Sequence, residues 1–272
     1  MASRRFQDAL GRAVKIEWPP RRVASLVPSQ TETLHRLGLG PRLVGRTRYC
    51  VEPRGEVEIV PEIGGEKSPD VSKILALQPD LVIGNKEENR KADVERLEAA
   101  GIPVYLAYPR TVREGIQMVR DLGALVGCEE RGDEIAAGLE AVLAEAPAPN
   151  TAVSAACFIW KNPWMAVGAD TYIDDMLKTC GARNVVPGRI KGRYPRVELE
   201  EVLALAPGLV LLPDEPYAFT ERDLADFERG EEAASPRAVL LDGKILSWYG
   251  PRIGASVRAL RAIVSEAAAR CG

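Results

Sequence analysis

The side chains in this sequence that could do chemistry gather just after its short apolar runs. Ser29 and Gln30 follow RVASLV; Arg46, Arg48 and Tyr49 follow LVG; Asn85, Lys86, Glu87 and Glu88 follow LVIG; Tyr108 and Arg110 follow VYLA. In the second half, Trp160, Lys161 and Trp164 follow AVSAACFIW, Tyr194 sits in GRYPR, Glu215 and Tyr217 follow LVLLP, and Trp248, Tyr249 and Arg252 follow ILS. Three of the four Trp are in this group. Rings at the ends of strands, rather than inside them, offer flat, rigid, amphipathic surface. The chemistry they point to is binding of a large, flat, partly apolar ligand. Arg46, Arg48, Lys86, Arg110, Lys161, Arg193 and Arg252 are cations that could pair with carboxylates on such a ligand.

Catalysis has less to stand on. The single histidine, His35, lies in LHRLG among core-spaced leucines and reads as a packed helix residue, so no Ser-His-Asp set can be assembled. GxSxG, GxxxxGK[ST] and a GxGxxG opening a helix are all absent. Glu87 and Glu88 could form an acid/base pair, but NKEENRKAD has the composition of a solvated helix start. One histidine cannot supply a multi-histidine metal site. Cys50, Cys128, Cys157, Cys180 and Cys271 are odd in number, widely spaced and without CxxC. They read as scattered buried thiols, with a single redox pair left open, and not as a disulfide framework or zinc site. The expectation is no enzyme, no intrinsic cofactor and no bound metal of its own.

Composition narrows the partners. The 272 residues carry a net charge of −3 despite 28% charged side chains, which argues against nucleic acid. No apolar run approaches the ~20 residues of a membrane-spanning helix. The opening MASRRFQDALGRAVKIEWPPRR has no continuous apolar stretch of a signal peptide, so the chain reads as cytoplasmic or as a mature, processed form.

The elements that must hold these side chains show an internal repeat. VSKILALQPDLVI (71–83) and LEEVLALAPGLVL (199–211) share Leu-Ala-Leu-x-Pro-x-Leu-Val without a gap. Each reads as a short helix ended by Pro79 or Pro207, then a buried strand. GIPVYLAYPR (101–110) and GKILSWYGPR (243–252) form a second pair, each read as a glycine, a strand, an aromatic and Pro-Arg. Strands at 22–27, 43–45 and 152–160 and helices at 31–37 (capped by Ser29 or Thr31), 89–100, 171–179 and 255–270 complete an alternation of strands and helices, which implies parallel sheets faced by helices. Residues 111–145 have no Pro and read as an uninterrupted helical stretch ending in EAPAPNT, either two or three ordinary surface helices or, as the favoured reading, a stiff connector between two lobes. The expected class is α/β: an N-terminal extension (1–20), an α/β lobe (21–122), a connecting helix (123–147) and a second α/β lobe (148–272), with a ligand cleft between the lobes.

SLVPSQTETLHRLGLGPRLVG (25–45), ILALQPDLVIG, AGIPV, GADTYIDDMLKTCGARNVV, VELEEVLALAPGLVLLP and WYGPR resemble the ABC-transporter solute-binding proteins with a helical backbone, over about residues 21–265. That family binds cobalamin, haem and iron–siderophores. The resemblance implies two α/β lobes joined by a long helix, and it is nearest to the cobalamin-binding branch. On it, Tyr49, Trp164 and Tyr194 fall at corrin-contacting aromatic positions, Trp248 lies close by, and two further aromatic positions are occupied by Glu66 and Asn85. Glu200 and Ser72 fall where the family docks on its permease. The implied protein is the periplasmic or cell-surface component of an importer, expected to be a monomer, that captures a corrinoid such as cobalamin. An iron–siderophore or haem ligand, and a cytoplasmic chelate carrier without a permease, stay as alternatives.

Overall fold

The computed structural model describes residues 2–145, 153–228 and 235–271, the side chains of 270 and 271 excepted. The chain divides into two compact units. The first takes residues 1–109, 115–138 and 249–251; the second takes 110–114, 139–248 and 252–272.

The first unit opens with a hairpin, β1 (Ala2–Gln7) antiparallel to β2 (Ala13–Trp18). The alternation in AVKIEW buries Val14 and Ile16 and leaves Lys15 and Glu17 in solvent. Next come β3 (Val23–Ser25), α1 (Pro28–Arg36), β4 (Leu43–Arg46), the two-residue pair β5 (Gly64–Gly65) and β6 (Ser68–Pro69), α2 (Val71–Ala76), β7 (Leu81–Asn85), α3 (Lys91–Ala99) and β8 (Val104–Ala107). The sheet order is β4-β3-β7-β8, all parallel. Leu26, Ile63, Ile74, Val82 and Leu97 sit at the centre of its core. The hairpin covers the outer edge of β8: the Ala9 amide donates to Leu106 O and the Arg12 guanidinium to Val104 O. An open sheet edge is an aggregation hazard, and the hairpin removes it.

α1 begins earlier than the sequence suggests. Val27 is its N-cap, without a side-chain bond, and Pro28 enters as the first helical residue, where its fixed φ is already helical and its missing N–H costs nothing. Ser29 and Thr31 are therefore buried first-turn residues, not caps. The stretch 111–145 is interrupted. It forms α4 (Val112–Val126) and α5 (Glu129–Ala144), separated by Gly127 at φ 77° and by Cys128. Close approach of the two helices needs glycine on both sides: a Cβ on Gly123 would lie 3.1 Å from Gly132 Cα. Most of EAPAPNT (146–151) lies outside the described residues.

The second unit repeats the alternation: β9 (Val153–Trp160), β10 (Met165–Ala166), α6 (Tyr172–Thr179), β11 (Ala182–Asn184), α7 (Leu199–Leu203), β12 (Leu209–Pro213), α8 (Glu221–Leu224), β13 (Arg237–Leu241), α9 (Lys244–Ser247) and α10 (Ile253–Cys271). β11, β9, β12 and β13 run parallel; β10 pairs antiparallel with the end of β9. Phe158, Val186, Val210, Leu212 and Phe227 lie at its core.

One expected strand is a helix. GKILSWYGPR holds α9, and the strand beside β12 is RAVLL instead. The strand stops at Leu241 because Asp242–Gly243 turns the chain: Asp242 Oδ1 accepts from the Lys244 amide, and the Gly243 amide donates to Asp214 Oδ1. Trp248 therefore follows a helix and not a strand.

Candidate functional site

Open α/β sheets take their ligands at the carboxyl ends of their strands. Of the residues singled out from the sequence, Tyr49, Lys86, Tyr108 and Tyr217 lie on loops that follow β4, β7, β8 and β12, Asn85 and Trp160 close β7 and β9, Ser29 and Gln30 open α1 after β3, and Trp248 follows α9.

In the first unit they separate by burial. Tyr49 is 55% exposed, on the loop after β4, with its ring against Gly65. Glu66 is half-buried, and its carbonyl accepts from Asn89 Nδ2. Lys86 is exposed, its ammonium 4.4 Å from the centre of the half-buried Tyr108 ring. Ser29, Gln30 and Asn85 are buried. Gln30 Nε2 donates to Gly84 O. Asn85 Nδ2 donates to the Tyr249 hydroxyl at 2.5 Å, and that hydroxyl donates to Glu88 Oε1 at 2.6 Å and also meets the Ser29 side chain. Burial, with the Glu88 charge beside it, pushes the Tyr249 phenol well above its ordinary range. Tyr249 thus organises Ser29, Asn85 and Glu88. Its position after ILS is visible in the sequence, but nothing local marks its partners, which lie more than a hundred residues away.

In the second unit the rings form a continuous row. Trp160 is 41% exposed and meets Tyr217 edge-on at 5.6 Å between centroids. Tyr217 packs on Phe219 at 4.7 Å, Phe219 stacks on Trp164 at 5.9 Å, and Trp164 reaches the core through Phe158 and Phe227. Trp160 and Tyr217 form the solvent end of this row; Trp164 is its inner part. The Tyr194 loop is tied to the Trp164 strand, with the Val197 amide on Trp164 O and the Gly168 amide on Arg193 O. Phe219, absent from the sequence candidates, links the outer and inner rings. Trp248 is only 5% exposed, with its indole N–H on Glu215 Oε1 at 2.7 Å and the Arg252 guanidinium 5.4 Å from its ring centre.

The seven cations named from the sequence are engaged inside their own units. Arg46 donates to Val57 O and Thr47 O, and Arg48 lies 3.7 Å from Glu62. Lys86 covers Tyr108. Arg110 pairs with Asp170 at 3.0 Å, and Arg193 reaches the same carboxylate at 4.0 Å. Lys161 holds Asp223 at 2.6 Å and Asp226 at 2.5 Å, and Arg252 lies over Trp248.

His35 is packed, as its setting among leucines suggests; burial pushes its pKa down, against the pull of Glu56 at 3.5 Å. Cys50, Cys128, Cys157 and Cys180 are free thiols, and burial raises the pKa of Cys50, Cys157 and Cys180. Among the described residues no cluster of three His, Cys, Asp or Glu side chains could hold a metal, and no helix is long and apolar enough to cross a membrane.

Residues 23–240 match the family described as periplasmic binding protein. The chain belongs to that family. An ABC transporter substrate-binding lipoprotein of Bacillus subtilis (strain 168), itself described as uncharacterized, is 25% identical over 258 residues, 91% of this chain and 81% of the relative. A vitamin B12-binding protein of Vibrio parahaemolyticus is 28% identical over 194 residues, 70% of this chain and 69% of the relative. The fold matches the haem-binding protein RhuT of Roseiflexus sp. RS-1 (TM-score 0.78, 23% identity, 91% of this chain and 99% of that one) and the vitamin B12-binding protein BtuF of Vibrio cholerae (TM-score 0.76, 22% identity, 92% and 98%). This periplasmic binding protein is therefore the solute-binding component of an ABC importer and not an enzyme. Its work is capture of a small molecule for a permease.

Proposed function

We propose that this periplasmic binding protein captures a corrinoid, cobalamin or a close relative, outside the cytoplasmic membrane. The observation that carries the reading is the engagement of those seven cations. Haem propionates and the carboxylates of anionic siderophores need free cations. Arg46, Arg48, Arg110, Lys161 and Arg193 already serve backbone carbonyls or carboxylates, and Lys86 and Arg252 lie over aromatic rings. Recruiting them would give up those contacts, the hydrogen bonds of Arg46 and Lys161 being worth roughly 1.5–3 kcal/mol each and the exposed ion pairs of Arg48 and Arg110 about 0–1 kcal/mol. A corrin rimmed by neutral amides makes no such demand and lays apolar area on rings. The first unit offers exposed Tyr49, and the second offers exposed Trp160 with half-buried Tyr217 against it. The vitamin B12-binding relatives support the same choice.

The permease is read as docking at Glu200 and Ser72. Both are exposed in the first turn of a helix, α7 and α2, in matching places of the repeat. The protein is read as acting as a monomer.

The test is purification followed by titration with cobalamin, cobinamide, haem and a ferric siderophore, read by absorption and calorimetry. Corrinoids are expected to bind tightest. Tight haem binding with weak cobalamin binding would overturn the assignment and show that the cations rearrange.

A further inference from the structure

Glu215 is a carboxylate that its neighbours have largely taken from solvent, and a ligand-contact role does not account for it. It follows β12, two residues before Tyr217. Its Oε1 accepts two hydrogen bonds, from Trp248 Nε1 at 2.7 Å and from Ser247 Oγ at 3.0 Å. The residue before it is tied to the same segment: the Asp214 amide donates to Leu241 O, and Asp214 Oδ1 accepts from the Gly243 amide. α9 starts directly on top of Glu215, since a Cβ on Gly243 would run into its side chain and lie 3.0 Å from its carbonyl oxygen. Two consecutive acidic residues thus fasten the base of the Tyr217 loop to the turn that carries Trp248.

We propose that Glu215 is a positioning residue for solute binding, clamping Trp248 and the base of the Tyr217 loop so that the Trp160–Tyr217 surface is preformed. This rests on the reading of that surface as a solute contact. An apolar residue would not do the same work, because the indole N–H would lose its acceptor, whereas the Ser247 hydroxyl has a second one in Gly243 O at 2.9 Å. A fixed ring pair loses less side-chain entropy on binding than a mobile one. The charged groups facing the carboxylate are Lys244, which favours its ionised form, and Asp214, which opposes it; Arg252 lies beyond, across the Trp248 ring. Burial raises the Glu215 pKa above the ordinary carboxylate range. The clamp therefore loses its charge-assisted bonds as pH falls through this raised value, before an ordinary carboxylate would be protonated.

The experiment compares wild type, Glu215→Gln and Glu215→Leu in the full chain, with cyanocobalamin as the probe and the Trp248 indole N–H followed by NMR. Glu215→Leu is expected to shift that resonance and weaken binding by about tenfold or more, with the fold intact by circular dichroism. Glu215→Gln keeps an acceptor oxygen. It is expected to bind within a few-fold of wild type and to lose the acid-side change in affinity. An indole signal unmoved in Glu215→Leu overturns the clamp. A moved signal with unchanged affinity overturns its role in binding. If wild type fails to bind cyanocobalamin, the corrinoid reading has failed, and the clamp is decided by the indole signal and by affinity for whichever chelate of the titration binds.

Discussion

Trp160 and Trp164 are four residues apart and face different environments, and their substitutions separate accordingly. Trp160 is exposed at the end of β9, with its ring against Tyr217. Trp160→Ala is expected to cost ~1–3 kcal/mol of solute affinity and little stability, as for an exposed aromatic anchor. Trp164 packs on Phe158, Phe219 and Phe227. Trp164→Ala is expected to cost about 3 kcal/mol of stability through the cavity it leaves. Chemical denaturation beside calorimetric titration reads both effects; equal stability losses for the two would contradict this division. Lys161, beside them, holds Asp223 and Asp226, and its ammonium keeps the Asp223 carboxyl below its ordinary range. A carboxyl with a depressed native pKa stabilises the fold above the ordinary carboxylate range, and that stability is lost as pH falls through the depressed value. Lys161→Met is expected to lower stability at neutral pH and to flatten the acid-side decline in the denaturation midpoint. A variant with the wild-type pH slope would show that the pair does not contribute.

At the scale of elements, the clearest reading in the sequence was the Leu-Ala-Leu-x-Pro-x-Leu-Val repeat, because proline leaves the chain few choices. In both copies the helix ends before the proline, at Ala76 and at Leu203, and the residue next to the proline takes a left-handed conformation, Gln78 at φ 46° and Ala206 at φ 50°. A buried parallel strand follows each time. Ala206→Gly is expected to stabilise by about 0.5–1 kcal/mol, since a side chain in that region costs about 1–2 kcal/mol and glycine returns part of the gain through its freer unfolded chain. A lowered melting temperature would show that the strain at Ala206 is negligible. Where strand and helix are exchanged, competing local signals are equally strong. KILSW is as apolar as RAVLL, and only the Asp242–Gly243 turn, with its partner Asp214 far back in the chain, sets which of them joins β12. Residues 1–20 read as an extension although AVKIEW alternates cleanly, because β1 is exposed along almost its whole length and carries no apolar pattern of its own. The break between α4 and α5 rests on a glycine in a stretch with several, of which Gly127 takes positive φ.

For the whole molecule, the aromatic candidates were legible as a class, whereas their division into solvent-facing and inward-facing rings was not, since that depends on partners such as Phe219 and Glu215. The same limit applies to charge: the sequence shows seven candidate cations, and only the fold shows that each is engaged. Exposure is what makes the remaining charges available to a partner, and Glu200 is a case where it can be tested. It stands exposed in the first turn of α7, while the matching place in α2 holds Ser72. A carboxylate there gains ~0.3–1 kcal/mol from the helix N-terminus, which alone would account for its presence. A docking role predicts something that local stability does not. Exposed charges at an interface govern association rate and its salt dependence more than they govern a separate ligand site. Glu200→Ala is therefore expected to leave solute affinity unchanged and to slow association with the cognate permease, most at low ionic strength. Ser72→Glu, adding a second carboxylate in the matching first turn, is expected to speed that association and steepen its salt dependence. Surface-immobilised permease in a series of salt concentrations reads both variants. Equal association rates for Glu200→Ala and wild type at low salt would leave the carboxylate with its helix-stabilising role alone.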